Sequence, residues 1–196
     1  EYLTEKKLGR GVINVNDFSY TGGISLFKGD ITTLNADAIV NAANSAMLGC
    51  FHPLHNCIDN VIHSAAGVQV RLDLSDIMKD REAENGEVIV TKAYNLPGRF
   101  IFHTVGPIVN GRVTKENRED LKKCYENCLA KADEMKLKSI AFCCISTGVF
   151  GYPKEEAAFV AAETVKDYLS RTKSGIKVVF DVFTEEDYAI YRRIIR

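Results

Sequence analysis

The chain carries almost no net charge: 25 lysines and arginines face 26 aspartates and glutamates over 196 residues, a formal balance of −1. Such a surface has no broad electrostatic attraction for nucleic acid or an anionic membrane, and neither is expected as a partner. No apolar run approaches the ~20 residues that cross a bilayer, and no basic start leads into an apolar core as in a signal peptide. A cytoplasmic protein is expected. Linkers, internal repeats and low-complexity tracts are also missing, so one domain spanning 1–196 is expected, long enough for a well-buried core. The chain begins at Glu1 without a methionine, and further sequence upstream is expected.

Six cysteines are too few for a disulfide scaffold in a chain of this size. Cys143 and Cys144 are adjacent in an apolar run, where neighbouring side chains point to opposite sheet faces, and they lack the spacing of a thioredoxin-like site. The thiols are read as reduced.

What the chain does have is a concentration of soft ligands. Within Cys50-Phe51-His52-Pro53-Leu54-His55-Asn56-Cys57 lie two of the six cysteines and two of the four histidines. Thiolate sulfur and neutral imidazole suit Zn²⁺, and Cys50, His55 and Cys57 can converge on one ion if the chain turns at Pro53. Three protein ligands leave a position open for water or substrate, although on spacing alone a structural staple competes. His52 falls on the outer side of that turn.

Short β-branched and aromatic runs alternate with stretches of helical period, the pattern of an α/β fold with a mostly parallel sheet. Strands are expected at 24–28, 38–41, 87–91, 99–105, 139–146 and 176–183. A helix over 116–136 gathers Leu121, Cys124, Tyr125, Cys128, Leu129, Ala132 and Met135 on one face, which explains two cysteines without chemistry. A second runs over 154–170 behind Pro153, and a third starts at Thr184, whose spacing to Asp187 resembles a capping box. Residues 1–23 are less regular, with a helix near the start and a turn at Gly22-Gly23.

Ligands of open α/β sheets sit beyond the carboxyl ends of strands, where four segments stand out. In Gly29-Asp30-Ile31, Asp30 can accept from an amino group such as that of adenine, or simply cap a turn. In Asn41-Ala42-Ala43-Asn44, small alanines permit close backbone approach and two amides donate and accept, or the asparagines brace a loop. The Cys/His loop runs into a helix through Asp59 and His63. Asp59 either complements the helix dipole or lies near a zinc-bound water, and His63 packs or bonds a carboxylate. Ser146, Thr147, Gly148, Val149, Phe150 and Gly151 form a strand-to-helix loop whose free backbone could wrap a diphosphate, or be a plain turn. It is no Walker loop, because no Gly-Lys-Ser/Thr follows. His103 is read as a satisfied core histidine.

Taken in order, Gly29-Asp30-Ile31-Thr32, Ala38-Ile39-Val40-Asn41-Ala42-Ala43-Asn44, His103-Thr104-Val105-Gly106-Pro107 and the segment 146–153 resemble the macrodomain family, which binds ADP-ribose. The match covers roughly 24–183. It implies a three-layer α/β/α fold with a central mixed, mostly parallel sheet, an ADP-ribose-binding core over 24–196 and an N-terminal extension over 1–23. Where the hydrolytic branch has a glycine-rich loop and a Val-Asp-Gly helix start, this chain has the Cys/His loop and Ile58-Asp59-Asn60. That replacement resembles the zinc-containing microbial subgroup, which removes mono-ADP-ribose from acidic side chains of proteins. Members are often encoded beside a sirtuin-type transferase and a lipoyl-carrier protein.

By that resemblance, Asp30 and Ile31 contact adenine, Asn41 belongs to the ADP-ribose site, and Ser146 to Gly151 wrap the diphosphate. Asn44 and Asp59 hold the distal ribose and act on it, and Cys50, His55 and Cys57 bind Zn²⁺. A reader of ADP-ribosylated proteins and a hydrolase of a small derivative such as O-acetyl-ADP-ribose are the alternatives.

Overall fold

The computed structural model describes residues 11–52 and 55–195. The helix expected near the start and the turn at Pro53 lie outside them. Strands β1 (Ile13–Asn14), β2 (Ile24–Lys28), β3 (Leu34–Asn35) and β4 (Ala38–Ala43) lead into helices α1 (Ile58–Ala66) and α2 (Val68–Met78). Then come β5 (Val88–Lys92), β6 (Phe100–Val105), α3 (Lys115–Glu134), β7 (Ser139–Phe142), α4 (Lys154–Thr172), β8 (Lys177–Val182) and α5 (Glu185–Ile195).

Six strands form one sheet in the order β2-β8-β7-β4-β6-β5, all neighbours parallel except the β5–β6 pair. β1 and β3 make a separate two-residue parallel ladder. The α/β class and mostly parallel sheet are as expected, because strands covered on both faces read as continuous apolar runs.

Helices cover both faces. On one, Phe142 and Phe180 stack towards Tyr125 of α3 and Tyr191 of α5, with ring centroids 5.0 Å apart for Tyr125–Phe142 and 5.1 Å for Phe180–Tyr191. Each such pair contributes about 0.5–1.5 kcal/mol beyond its area burial. Leu121, Cys124, Tyr125, Cys128, Leu129 and Ala132 form the buried stripe of α3, as its period requires. Thr114 and Asn117 close a reciprocal capping box at its start, and Thr184 accepts from the Asp187 N–H at 3.1 Å before α5.

The other face is where the site lies. Register sets Phe27 opposite Asp181 and Asn41 opposite His103. Phe142 pairs with both Val40 and Phe180, so Cys143, one residue on, is level with Asn41 and Asp181. Side chains alternate along a strand, so Asp181, Cys143, Asn41 and His103 share the face away from the Phe142–Phe180 row, with Asn41 and His103 beneath α1.

Most expected boundaries shift by one or two residues, as β4 does by running on to Ala43, and one strand is much shorter than expected. The strand expected at 139–146 stops at Phe142, where its ladders to β4 and β8 both end, and the left-handed φ of 66° at Ser146 bars any strand from reaching 146. The helix α2 had no counterpart in the sequence reading.

Candidate active site

Four buried side chains line up behind the start of α1. The Asn41 amide donates to Asp59 Oδ1 at 2.7 Å and faces His103 Nδ1 at 3.1 Å, and His103 Nε2 lies 3.0 Å from Thr91 Oγ1. Because Asn41 Nδ2 can only donate, His103 Nδ1 must accept. The imidazole is therefore neutral, with its proton on Nε2 directed at Thr91. In this orientation the Asn41 NH₂ serves both Asp59 and His103. Asn41, expected at the ligand, is fully buried and gives its amide to Asp59 and His103. His103 is the satisfied core histidine anticipated, but its satisfaction orients the aspartate.

Burial pushes the Asp59 carboxyl up to about 6, with the Asn41 hydrogen bond and the Arg71 charge pulling the other way. Burial and then Arg71 lower His63 to about 4, and burial and then His63 lower His103 to about 3. His63 Nε2 lies 3.4 Å from Asp59 Oδ1 one turn along α1 without hydrogen-bond geometry.

Arg71 was missed by the sequence reading. Its guanidinium lies 4.7 Å from the centre of the exposed Phe51 ring. A Cβ on Gly49 would fall 3.0 Å from both Arg71 Nη2 and His63 Nδ1, and φ there is +87°, so this position requires glycine. The signal was obscured because α2 carries apolar residues on both sides: Val70, Leu74 and Met78 are buried, whereas Val68, Leu72 and Ile77 are exposed.

Just beyond β4, Asn44 donates to the Gly49 carbonyl at 3.1 Å, and its Oδ1 is buried without a partner. The Cys/His loop follows. Cys50, His55 and Cys57 bring one donor atom each within 4.8 Å of one another, and Cys50 Sγ is 3.3 Å from His55 Nδ1. A tetrahedral zinc with bonds of ~2.3 Å to sulfur and ~2.0 Å to nitrogen spaces its ligands by about 3.5–4 Å, so this donor set fits one ion. Asn60 braces the loop, donating to the carbonyls of His55 at 3.0 Å and His52 at 3.3 Å. Burial first, and also the neighbouring Cys50 and Asp59, push the Cys57 thiol up; a bound dication would reverse this. His52 is exposed, with its ring 6.1 Å from that of His55.

At the other end, Asp30 caps a single 3-10 turn, its Oδ1 accepting from Thr32 N at 3.0 Å and Thr32 Oγ1 at 2.6 Å. The Ile31 side chain is in the core. Phe183, unremarked in the sequence, is exposed just past β8. Loop 146–151 is closed by Gly151 N–H to the Gly148 carbonyl at 3.0 Å and Tyr152 N–H to the Ser146 carbonyl at 3.0 Å. The N–H groups of Thr147, Gly148, Val149 and Phe150 meet no acceptor among the described residues, leaving a row of donors suited to an anion. Gly106 lies against this loop, where a Cβ would overlap Ser146 Oγ and come within 2.7 Å of Ile145 Cγ2.

The model of the Macro domain family matches residues 40–161. The chain belongs to the macro domain family. A Staphylococcus aureus (strain MRSA252) macro domain relative named Protein-ADP-ribose hydrolase is 50% identical over 186 residues, 92% of this chain and 70% of that protein. A Treponema medium protein of the same name is 45% identical over 201 residues, 99% of this chain and 77% of that one. Among solved structures, an Oceanobacillus iheyensis macrodomain with ADP superposes with a TM-score of 0.80 at 38% identity, covering 93% of each chain. A Trypanosoma brucei macrodomain in complex with ADP-ribose gives 0.81 at 32% identity, covering 94% of this chain and 77% of that one.

Proposed function

We propose that this macro domain removes mono-ADP-ribose from modified proteins, in a zinc-dependent reaction at the bond between C1 of the distal ribose and an acidic side chain. The observation that carries it is the junction at Cys57 and Ile58. A three-donor metal set ends at the residue before α1, and the buried Asp59 occupies the first turn of that helix, held by Asn41. A pure binding module has no need of an oriented, desolvated carboxyl beside a metal set. The names of the relatives from Staphylococcus aureus and Treponema medium support the same activity.

In this reading the amides of 147–150 bind the diphosphate, and Asp30 with the Ile31 backbone meets adenine. Asn44, with its buried and unpartnered Oδ1, fixes hydroxyls of the distal ribose. Asp59 keeps one oxygen on Asn41 and turns the other to the attacking water, orienting it and accepting its proton as the bond to C1 forms. The bond from C1 to the acidic side chain breaks as the water adds, through an oxocarbenium-like transition state, and the electron pair leaves with the protein carboxylate. Zn²⁺ held by Cys50, His55 and Cys57 would supply Lewis acidity at this end. The fittest protein substrate, from the subgroup resemblance, is a lipoyl-carrier protein modified by a sirtuin-type transferase.

Acceptors labelled on Asp/Glu and on Ser or Arg, incubated with and without a chelator, test this directly. Release from the acidic linkage alone, abolished by chelation, is expected. Label retained by the domain would instead identify a reader.

A further inference from the structure

Asp181 is a buried carboxyl that the proposed reaction leaves unused. It interrupts the apolar run of β8, is 5% exposed, and keeps Oδ1 sealed from solvent without a hydrogen-bond partner among the described residues. Register puts it opposite Phe27, and the Gly29 N–H donates to the Val182 carbonyl at 3.0 Å. The β2–β8 pairing therefore persists until Asp30 leaves the sheet, and the two carboxyls come together at the same edge. The titratable groups around Asp181 are Asp30, Cys143 and Cys144, with no cation among them. An ionised carboxylate in this position would leave Oδ1 without a compensating charge or donor among the described residues, which favours the protonated form of Asp181. Burial, and then the Asp30 charge, push it up to about 8.

A neutral carboxyl offers what Asp30 cannot. The Asp30 carboxylate only accepts, and part of its capacity is spent on Thr32. Asp181 presents one donor as well as an acceptor. Adenine has the complementary pattern, an exocyclic amine that donates and ring nitrogens that accept.

We propose that Asp181 selects the base of the bound nucleotide, donating its carboxyl proton to a ring nitrogen of adenine while Asp30 accepts from the amino group. This rests on the ADP-ribose reading above. It makes Asp181 a specificity-determining residue remote from the scissile bond, acting on binding and not on turnover.

The test is calorimetric binding of ADP-ribose and its 1-, 3- and 7-deaza-adenine analogues to the wild type and to Asp181→Ala, with Asp181→Asn as the conservative variant. Asp181→Ala is expected to bind ADP-ribose about tenfold more weakly, the loss of one buried hydrogen bond, and Asp181→Asn within about threefold of wild type. One deaza analogue should bind the wild type about tenfold more weakly than ADP-ribose does, and Asp181→Ala no more weakly, because the contact is already gone. Turnover at saturating substrate should stay within about twofold. The deaza series on the wild type reads the same contact without any substitution. Equal deaza losses in both proteins, or wild-type affinity in Asp181→Ala, would overturn the role of Asp181 alone. No binding of ADP-ribose by the wild type would sink the ligand reading and this assignment with it.

Discussion

Replacing His103 with glutamine should remove part of the acid sensitivity of the fold. The native imidazole is fully buried, neutral and hydrogen-bonded on both nitrogens, and is lowered from 6.5 to about 3 by burial and by His63. For a base whose folded value is depressed, the unfolded chain takes up the proton first. The stability linked to His103 is therefore complete above pH 6.5 and is lost progressively as pH falls towards 3. At about pH 5 the unfolded state gains ~2 kcal/mol from this proton, at roughly 1.4 kcal/mol for each unit below its own value. Asp59 and Asp181 act oppositely, because their raised carboxyls bind protons in the fold before the unfolded chain does. The comparison must therefore be made between wild type and variant. Urea denaturation at about pH 8 and pH 5 should show a drop for wild type larger than that of His103→Gln by about 2 kcal/mol. The variant also keeps an amide oxygen able to accept from Asn41. Equal drops would mean that His103 is not held neutral, and the orientation assigned to Asn41 would fall with it.

Asp59→Asn should lower turnover by on the order of 10²–10⁴-fold while ADP-ribose affinity, read by calorimetry, stays within about threefold. Cys57→Ala breaks the metal set, so zinc by elemental analysis should fall from one per chain to a small fraction, with label release falling in parallel. Gly106→Ala drives a methyl into Ser146 and Ile145 and should cost about 1–3 kcal/mol in urea denaturation while weakening ADP-ribose through the displaced loop.

The strands could be read from sequence because a sheet buried on both faces demands unbroken apolar runs, and α3 because its polar side is consistently polar. The overshoot of β7 came from the apolar stretch Cys143-Cys144-Ile145, which continues past Phe142, where both ladders end, and so leaves no trace of that end in composition. The Cys/His loop announced itself through residue type, and the structure brings its three donors together. Contacts across the sheet were hidden. Nothing in the spacing of Thr91, His103, Asn41 and Asp59 says that four strand and helix positions join in one hydrogen-bonded line, since it takes the β4–β6 register, the β5–β6 pairing and the packing of α1 on β4 to create it. Asp181 did leave a mark, a lone acid inside Val178-Val179-Phe180-Asp181-Val182, and a charge in a run that must be buried always requires a reason.

The most direct measurement follows label release from an Asp/Glu-linked mono-ADP-ribosylated acceptor as metal-free protein is titrated with Zn²⁺, with bound zinc counted in the same samples. Release rising in step with occupancy and levelling at one zinc per chain is the expected result. Full release without zinc, or one bound zinc with the label retained on the acceptor, would contradict a zinc-dependent hydrolase.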